Sequence, residues 1–438
     1  MTKNNSRDQT SKLLKTEILQ SEAASPEAEI IEETERGGRP FVSLQYPEYR
    51  YLWSGSFLSN IGTWIQTVAL GWFVFQITNS EFSLGLVNFA STLPTFFLAL
   101  VGGVIADRYE RRSLLITSQT VLMILAFLLG ALVSFHIVSI PSIIVLALGA
   151  GIATSFNFPA WQALIPELVP RKNLMNAVAL NSAQFNAARL VGPAIAGIII
   201  ARLGLASSFY INALSFLAVI FPLALIKPRP VERPPVGENI WRNIIAGVNY
   251  ARGDVSIATL LIGVGVLSMF GMSYSVLMPA FARDILKVGA SGLGYLMAAS
   301  GFGAVAGALI VASLPRTVQR KTIIKFSTLS YSIFLFTFAF SKIFALSMVA
   351  QAGVGISFMV SISSSNTSLQ VAVPSSMRGR IMSLFVWAFI GVTPIGSFFM
   401  GSVAKLLGSP IAVAIGSLIV FITAVILFIR RDLLESAV

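Results

Sequence analysis

About twelve apolar segments constrain the fold of this chain most strongly, because each is close to the 20 or so residues that a helix needs to cross a bilayer. Inside a bilayer the backbone must satisfy its own hydrogen bonds, so these segments are predicted to be helices. The predicted spans are Tyr51–Phe75, Ser83–Ile105, Leu114–Phe135, Pro141–Leu164, Leu174–Ala201, Ala206–Ile226, Ile257–Ala282, Ser291–Ser313, Thr322–Ser341, Ile343–Val371, Ile381–Ala404 and Ser409–Ile429.

Composition agrees with a membrane-embedded chain. Hydrophobic residues make up 55% of the sequence and charged residues 11%, with a mean hydropathy of +0.79. Soluble domains carry roughly 25% charged residues. Little sequence remains outside the spans for a soluble domain.

Lysine and arginine fall on alternate loops, which the positive-inside rule assigns to the cytoplasm. The basic residues of these loops are Arg108, Arg111, Arg112, Arg171, Lys172, those within 227–252, Arg316, Arg320, Lys321, Arg378, Arg380, Arg430 and Arg431. The other loops carry only Arg202, Arg283, Lys287, Lys342 and Lys405. We therefore expect both termini in the cytoplasm, and we attribute the net charge of +12 to topology rather than to nucleic-acid binding.

The two ends of the chain and its rare residue types limit the chemistry. Residues 1–45 and 432–438 are predicted to be cytoplasmic tails, the first of them disordered because it holds too little apolar material to fold alone. The chain has no cysteine and one histidine, His136, so no metal site and no cofactor are expected. Nothing resembling a nucleotide-binding loop is present, so ATP-driven transport by this chain alone is not expected.

The two halves of the chain repeat one another. Leu84-Gly85 corresponds to Leu293-Gly294, and Gln162 corresponds to Gln370 at almost the same offset. We therefore predict two pseudo-symmetric six-helix bundles, 46–226 and 257–431, with a ligand site between them near the middle of the membrane. The linker 227–256 is predicted to contain an interfacial helix, because Ile240, Trp241, Ile244, Ile245 and Val248 recur at helical spacing.

A cluster of charges interrupts the apolar pattern between the second and third spans. It contains Asp107, Arg108, Arg111 and Arg112, and Glu167 lies at the same predicted face, at the end of the fourth span. Such a cluster can hold helices together in one conformation and release them in another, which is what an alternating-access carrier requires. We therefore predict that these five residues gate a conformational change.

The loop Gly103–Arg112 resembles the signature loop of the major facilitator superfamily, except that Glu110 stands where the family usually has glycine. Within that superfamily, three further segments are similar to the bacterial branch of enterobactin exporters and macrolide efflux pumps. These segments are Asn60–Trp72, Asn157–Ala160 and Ala179–Gly197. The resemblance implies a secondary-active exporter of small amphipathic molecules, of drug or siderophore type, and no enzyme activity.

Gly192 and Pro193 in the fifth span are similar to the motif that marks antiporters in the superfamily. Glycine permits close helix approach, and proline bends the helix and frees a carbonyl, so a helix bend is predicted here. Proton antiport is implied only by this resemblance, because no Asp or Glu lies within a predicted span. The resemblance also implies a monomer in the bacterial inner membrane.

Arg189 lies about 15 residues into the fifth span, roughly 22 Å from its start by helical rise. A charge at that depth is costly unless it faces a polar cavity or a partner, so we predict that Arg189 binds an anionic or hydrogen-bonding part of the substrate. A purely structural role, satisfied by neighbouring helices, is the alternative. The other predicted substrate-binding residues are Asn60, Gln66, Asn157, Asn186 and Trp387.

Two further functions remain open from the sequence. A lysophospholipid or another lipid is an alternative substrate, because one arginine does not distinguish amphipathic ligands. A non-transporting sensor or assembly subunit on a transporter scaffold is an alternative of another class. An enzyme is disfavoured because no nucleophile, base and orienting group converge in the spans.

Overall fold

The computed structural model describes residues 41–108, 110–226, 240–315 and 318–430, and every regular element in these ranges is helical. The prediction of an all-α membrane fold is confirmed. The predicted tail 432–438 lies outside the described residues, as do residues 1–40. Val42–Gln45, at the end of the predicted N-terminal tail, forms a 3-10 turn in which Ser43 donates hydrogen bonds to Asn173 and Asn176.

Six long helices form the first half: α1 Pro47–Thr78, α2 Glu81–Arg108, α3 Arg111–Ser134, α4 Ile140–Leu168, α5 Leu174–Leu203 and α6 Leu205–Leu225. Local sequence explains several of their ends. Pro47 occupies the first turn of α1, where a missing N–H costs nothing, and Asn79 ends that helix in the left-handed conformation with φ 48°. Ser139 caps α4 by accepting a hydrogen bond from the Ser142 N–H.

The second half follows a short helix, α7 Ile240–Gly253, which falls where the interfacial helix was predicted. Its long helices are α8 Val255–Ile285, α9 Gly289–Ser313, α10 Arg320–Phe340, α11 Phe344–Ala372, α12 Ser375–Leu407 and α13 Ser409–Ile429. Gly204 before α6 and Gly408 before α13 both have positive φ, 81° and 87°. Glycine is favoured at such angles, and these two turns occupy equivalent places in the repeat.

Ten of the described helices, α3 to α6 and α8 to α13, are long and apolar enough to cross a membrane. The helices α1 and α2 lie outside that set, although they contain 32 and 28 residues. Polar side chains such as Asn60, Gln66 and Gln76 lower the hydropathy of α1. Large apolar residues cover the outer surface of the molecule, including Phe221 at 70% exposure and Leu406 at 80%, as expected for contact with lipid.

Two helices are irregular where uniform spans were predicted. In α8, residues Leu267–Gly271 form a π turn, Met272–Leu277 a 3-10 turn and Phe281–Ile285 a second π turn. In α12, Trp387–Gly391 forms a π turn. Such turns redirect side chains and often mark functional positions. The hydropathy of the sequence does not reveal them, because they contain the same apolar residues as a regular helix.

The halves meet through two helix pairs, α2 with α12 and α5 with α9. We call the span ends that carry Arg111, Arg171, Arg320 and Arg378 the charged face, and the other ends the opposite face. Where the halves meet, the close contacts at Gly85, Gly294 and Gly301 lie between the opposite face and the middle of the spans. A Cβ at Gly85 would lie 2.8 Å from the Gly401 Cα, and one at Gly294 would lie 3.2 Å from the Gly197 N. The glycines that revealed the repeat thus mark the two interfaces.

Candidate substrate site and gating contacts

Arg189 lies in the middle of α5, where that helix packs on α9 of the second half. A Cβ at Gly301 would lie 2.8 Å from the Arg189 carbonyl oxygen, so only glycine permits this approach. The Arg189 side chain is partly buried and interacts electrostatically with Tyr274 and Tyr331 of the second half. Its guanidinium forms no hydrogen bond or ion pair with any residue that the structure describes.

The polar groups near Arg189 come from the second half. The Tyr274 hydroxyl donates a hydrogen bond of 2.6 Å to the Gln351 Oε1. The Tyr331 hydroxyl is buried and has no hydrogen-bond partner within the described ranges. Sequence analysis did not single out Tyr331 or Gln351. Tyr274 and Tyr331 each stand between two serines, so polarity along the sequence does not distinguish them, and only the packing of the halves brings them towards Arg189.

The other predicted substrate residues lie in different environments. Asn60 and Trp387 are partly buried, and Trp387 packs against Phe96 across the halves with ring centroids 5.4 Å apart. The Asn186 amide donates to the Ser182 carbonyl of its own helix at 2.9 Å. Asn186 and Trp387 lie on α5 and α12, which contact the other half, and Asn60 lies on α1, which packs against α5.

Gln66 and Asn157 are engaged inside the first half. The Asn212 amide donates to the Gln66 Oε1 at 2.7 Å, and the Asn157 amide donates to the Ser118 hydroxyl at 3.2 Å. These bonds link α1 to α6 and α4 to α3. Both side chains therefore contribute to helix packing in this conformation.

The Gly-Pro pair in α5 fits closely between two neighbouring helices. A Cβ at Gly192 would lie 2.5 Å from the Trp64 Cβ, and the Pro193 carbonyl approaches Gly294 of α9. Pro193 lies inside the helix, and both residues are buried. The pair therefore combines close packing on α1 with close packing on the second half.

Three of the predicted gating residues make ordered contacts within the first half. Arg111 forms an ion pair with Glu167 at 2.5 Å and also donates to the Ala163 carbonyl at 3.0 Å. Arg112 donates to the carbonyls of Leu223 and Ala224 at 2.6 and 2.5 Å, at the C-terminal end of α6.

These contacts hold α3 against α4 and α6. The positive charge of Arg112 is stabilised by the negative C-terminal end of the α6 dipole. Asp107 and Arg108 are the last two residues of α2, and their side chains lie outside the described part of the structure.

A second set of contacts joins the halves near the opposite face, and the sequence did not indicate it. Arg283 donates to the Phe75 carbonyl at 3.1 Å, and its guanidinium carbon lies 3.9 Å from the centre of the Phe75 ring. Asp284 pairs with the same guanidinium at 2.7 Å. Deeper in the interface the Ser397 hydroxyl donates to the Asn88 Oδ1 at 2.9 Å.

Acidic and metal-binding groups are sparse in the described spans. The carboxylates with described side chains, Glu48, Glu81, Glu110, Glu167, Asp254 and Asp284, lie at or near helix ends. No group of three or more His, Cys, Asp or Glu residues capable of holding a metal ion occurs in the described residues. The positive charge of Arg189 therefore has no described carboxylate beside it.

Sequence comparison decides the family. The profile of the family described as "Transmembrane secretion effector" matches residues 39–436, which is nearly the whole chain. The chain belongs to this family of major facilitator superfamily transporters. The predicted membership is thus confirmed, and this secretion-effector family member is a multi-pass membrane transporter rather than a member of an enzyme family.

Curated relatives of this transporter carry siderophores. It is 27% identical over 387 residues to the staphyloferrin A transporter of Staphylococcus aureus, covering 88% of this chain and 96% of that protein. It is 28% identical over 374 residues to the enterobactin exporter of Escherichia coli, covering 85% and 88%.

Solved structures share the fold of this transporter. A bacterial homologue of the human lysosomal transporter Spinster, described as inward-facing and unoccupied, aligns with a TM-score of 0.66 at 14% identity, covering 89% of this chain and 97% of that one. The nucleoside transporter NupG aligns with a TM-score of 0.67 at 14% identity, covering 88% and 99%. At these identities the likeness concerns the fold alone.

Proposed function

We propose that this transporter is a secondary-active exporter of small amphipathic anions of the siderophore type. Arg189 carries the proposal: its charge lies where the halves meet, towards two tyrosines of the second half, with no described carboxylate to neutralise it. A cation at this depth in the membrane favours an anionic ligand. The siderophore substrates named for the two relatives support the same class of substrate.

Export follows from alternation between two packings of the halves. The contacts at Gly85, Gly294 and Arg283 hold the halves together towards the opposite face, and this supports the proposal that a substrate enters from the charged face. Rocking of the halves then breaks these contacts and opens the site on the other side. With both termini in the cytoplasm of a bacterial cell, as the loop charges predict, this direction is export through the inner membrane.

Proton antiport supplies the driving force in this proposal, and we expect the transporter to act as a monomer. The Gly192-Pro193 resemblance supports antiport, whereas the described mid-span residues include no carboxylate to carry the proton. The half that contains Glu167 holds that carboxylate against Arg111 near the charged face. Coupling therefore requires a direct measurement.

The decisive experiment measures substrate-induced proton release from everted vesicles, with a panel of anionic siderophores, neutral macrolides and cationic drugs. We expect a signal for the anions that Arg189→Ala reduces by about 10-fold or more, because a charged hydrogen-bonding partner is lost. Arg202→Ala, at the exposed end of the same helix, is the charge-matched control and keeps the wild-type signal.

Other outcomes would redirect the proposal. Anion transport unchanged by Arg189→Ala, at equal folded yield, removes this residue from the site. Uptake without proton release rules out proton coupling. Transport restricted to cationic drugs contradicts the proposed substrate class, and transport of none of these compounds favours a lipid substrate or a non-transporting role.

A further inference from the structure

The Tyr331 hydroxyl is an unsatisfied polar group in the interior of the second half. Tyr331 is 1% exposed, and its hydroxyl has no hydrogen-bond partner among the described residues. A Cβ at Gly271 would lie 3.1 Å from this hydroxyl, so the π turn of α8 brings its backbone directly against the phenol. Leaving a hydroxyl buried without a partner costs free energy, and such groups call for an explanation.

The surroundings of Tyr331 show which partner is missing. Arg189 and Tyr274 both interact with it electrostatically. The Tyr274 proton is already donated to Gln351, and the guanidinium of Arg189 has only protons to offer. The groups that interact with Tyr331 thus supply guanidinium N–H donors and a positive charge, and an acceptor bearing negative charge would complete the cluster.

We propose that Tyr331 is the substrate-binding donor of the second half, which shares one anionic oxygen group of the substrate with Arg189 of the first half. This inference rests on the proposed function and narrows it to substrates that carry a carboxylate or a catecholate. Hydrogen bonds to ionised oxygens are shorter and stronger than neutral ones, so phenol and guanidinium together recognise such a group. A cationic headgroup is repelled at the same place.

The proposal also gives the substrate a mechanical role. Arg189 belongs to α5 and Tyr331 to α10, so an anion held by both links the two halves at the middle of the spans. In this structure the hydroxyl is closed off from solvent, so we expect the anion to reach it only when substrate binding changes the packing around Tyr331. Differential contact in the closed state is what allows a ligand to drive the change.

The test compares Tyr331→Phe, which removes only the hydroxyl, with Tyr295→Phe, which removes one from a tyrosine that is 43% exposed. Binding to the purified full chain is followed by intrinsic fluorescence, since the chain has 6 tryptophans. The probes are citrate, 2,3-dihydroxybenzoate and the hydrophobic cation tetraphenylphosphonium. We expect Tyr331→Phe to weaken anion binding by about 10-fold, with cation binding unchanged and the melting temperature not lowered, because the buried hydroxyl has no partner to lose. Tyr295→Phe should bind all three as the wild type does.

Each other result has a distinct meaning. If the wild type binds the anions and Tyr331→Phe binds them equally well, the inference fails while the proposed function stands. The hydroxyl is then satisfied by a buried water. Equal loss of anion and cation binding also overturns it and shows that Tyr331 acts through packing. Wild-type protein that binds and exports only cations overturns the proposed function itself. Tyr274→Phe is unsuitable because it would deprive Gln351 of its donor.

Discussion

At the residue scale, the Arg111–Glu167 pair shows how a charged group is kept ordered near the membrane. Each side chain is 13% exposed, and Arg111 also bonds to the Ala163 carbonyl. The pair is therefore more enclosed than a surface ion pair, which is worth about 0–1 kcal/mol. Removing one partner would leave the other charge poorly solvated, and that is the costly step.

We predict that Glu167→Gln lowers the stability of the folded protein by about 1–3 kcal/mol, between the values for exposed and buried pairs. The measurement is the thermal unfolding midpoint of the detergent-purified protein. Glu110→Gln is the matched control, because Glu110 is exposed and bonds only to Ser113 among the described side chains. Equal effects of the two substitutions would argue against a special contribution of the pair.

At the element scale, glycines set how closely α5 and α9 approach. A Cβ at Gly301 would meet backbone, 2.8 Å from the Arg189 carbonyl oxygen and 2.9 Å from the Leu190 Cα. Backbone atoms cannot rotate away as a side chain can, so the two helices must separate. The added methyl group thus destabilises the packing of the halves near Arg189.

We predict that Gly301→Ala shifts the molecule towards opening at the opposite face. Because the chain has no cysteine, Ser397→Cys introduces a single thiol reporter at a position that is 3% exposed in this interface. A membrane-impermeant maleimide added to intact cells should label it several-fold faster when Gly301→Ala is present. Gly263→Ala, which has no atoms within 4 Å of its new Cβ, should leave the rate unchanged.

At the scale of the whole molecule, Arg283 joins the second half to the last turn of α1. Its guanidinium combines a hydrogen bond to the Phe75 carbonyl with contact to the Phe75 ring. A cation over an aromatic face is worth about 0.5–2 kcal/mol, and the carbonyls at a helix C-terminus attract positive charge. In this conformation these contacts hold the two halves together near the opposite face.

We predict that Arg283→Ala opens the opposite face and raises labelling of the Ser397→Cys reporter by about 3- to 10-fold, the equivalent of about 1 kcal/mol. Lys342→Ala removes an exposed charge from the same face and serves as the control. If both variants label at the wild-type rate, Arg283 does not stabilise the closed arrangement.

The positions of most helices could be predicted from the sequence, because crossing a bilayer requires long apolar helices and these give a strong hydropathy signal. The prediction placed α5 at Leu174–Ala201, and the helix is Leu174–Leu203. The turns inside α8 and α12 could not be predicted, since a π turn and an α turn bury the same residue types. Arg189 was identifiable as a buried charge, whereas its neighbour Tyr331 was not.

The sequence by itself determined that this protein is helical and membrane-embedded, that its halves repeat, and that one arginine lies deep within a span. These properties depend on composition and spacing along one chain. The tertiary structure decided which polar groups lie together: Gln66 is hydrogen-bonded to Asn212, 146 residues away, and Arg189 interacts electrostatically with Tyr331 of the other half. Periodicity shows which face of a helix is polar, but only the packing of distant helices sets whether that face finds a partner or is left for a substrate.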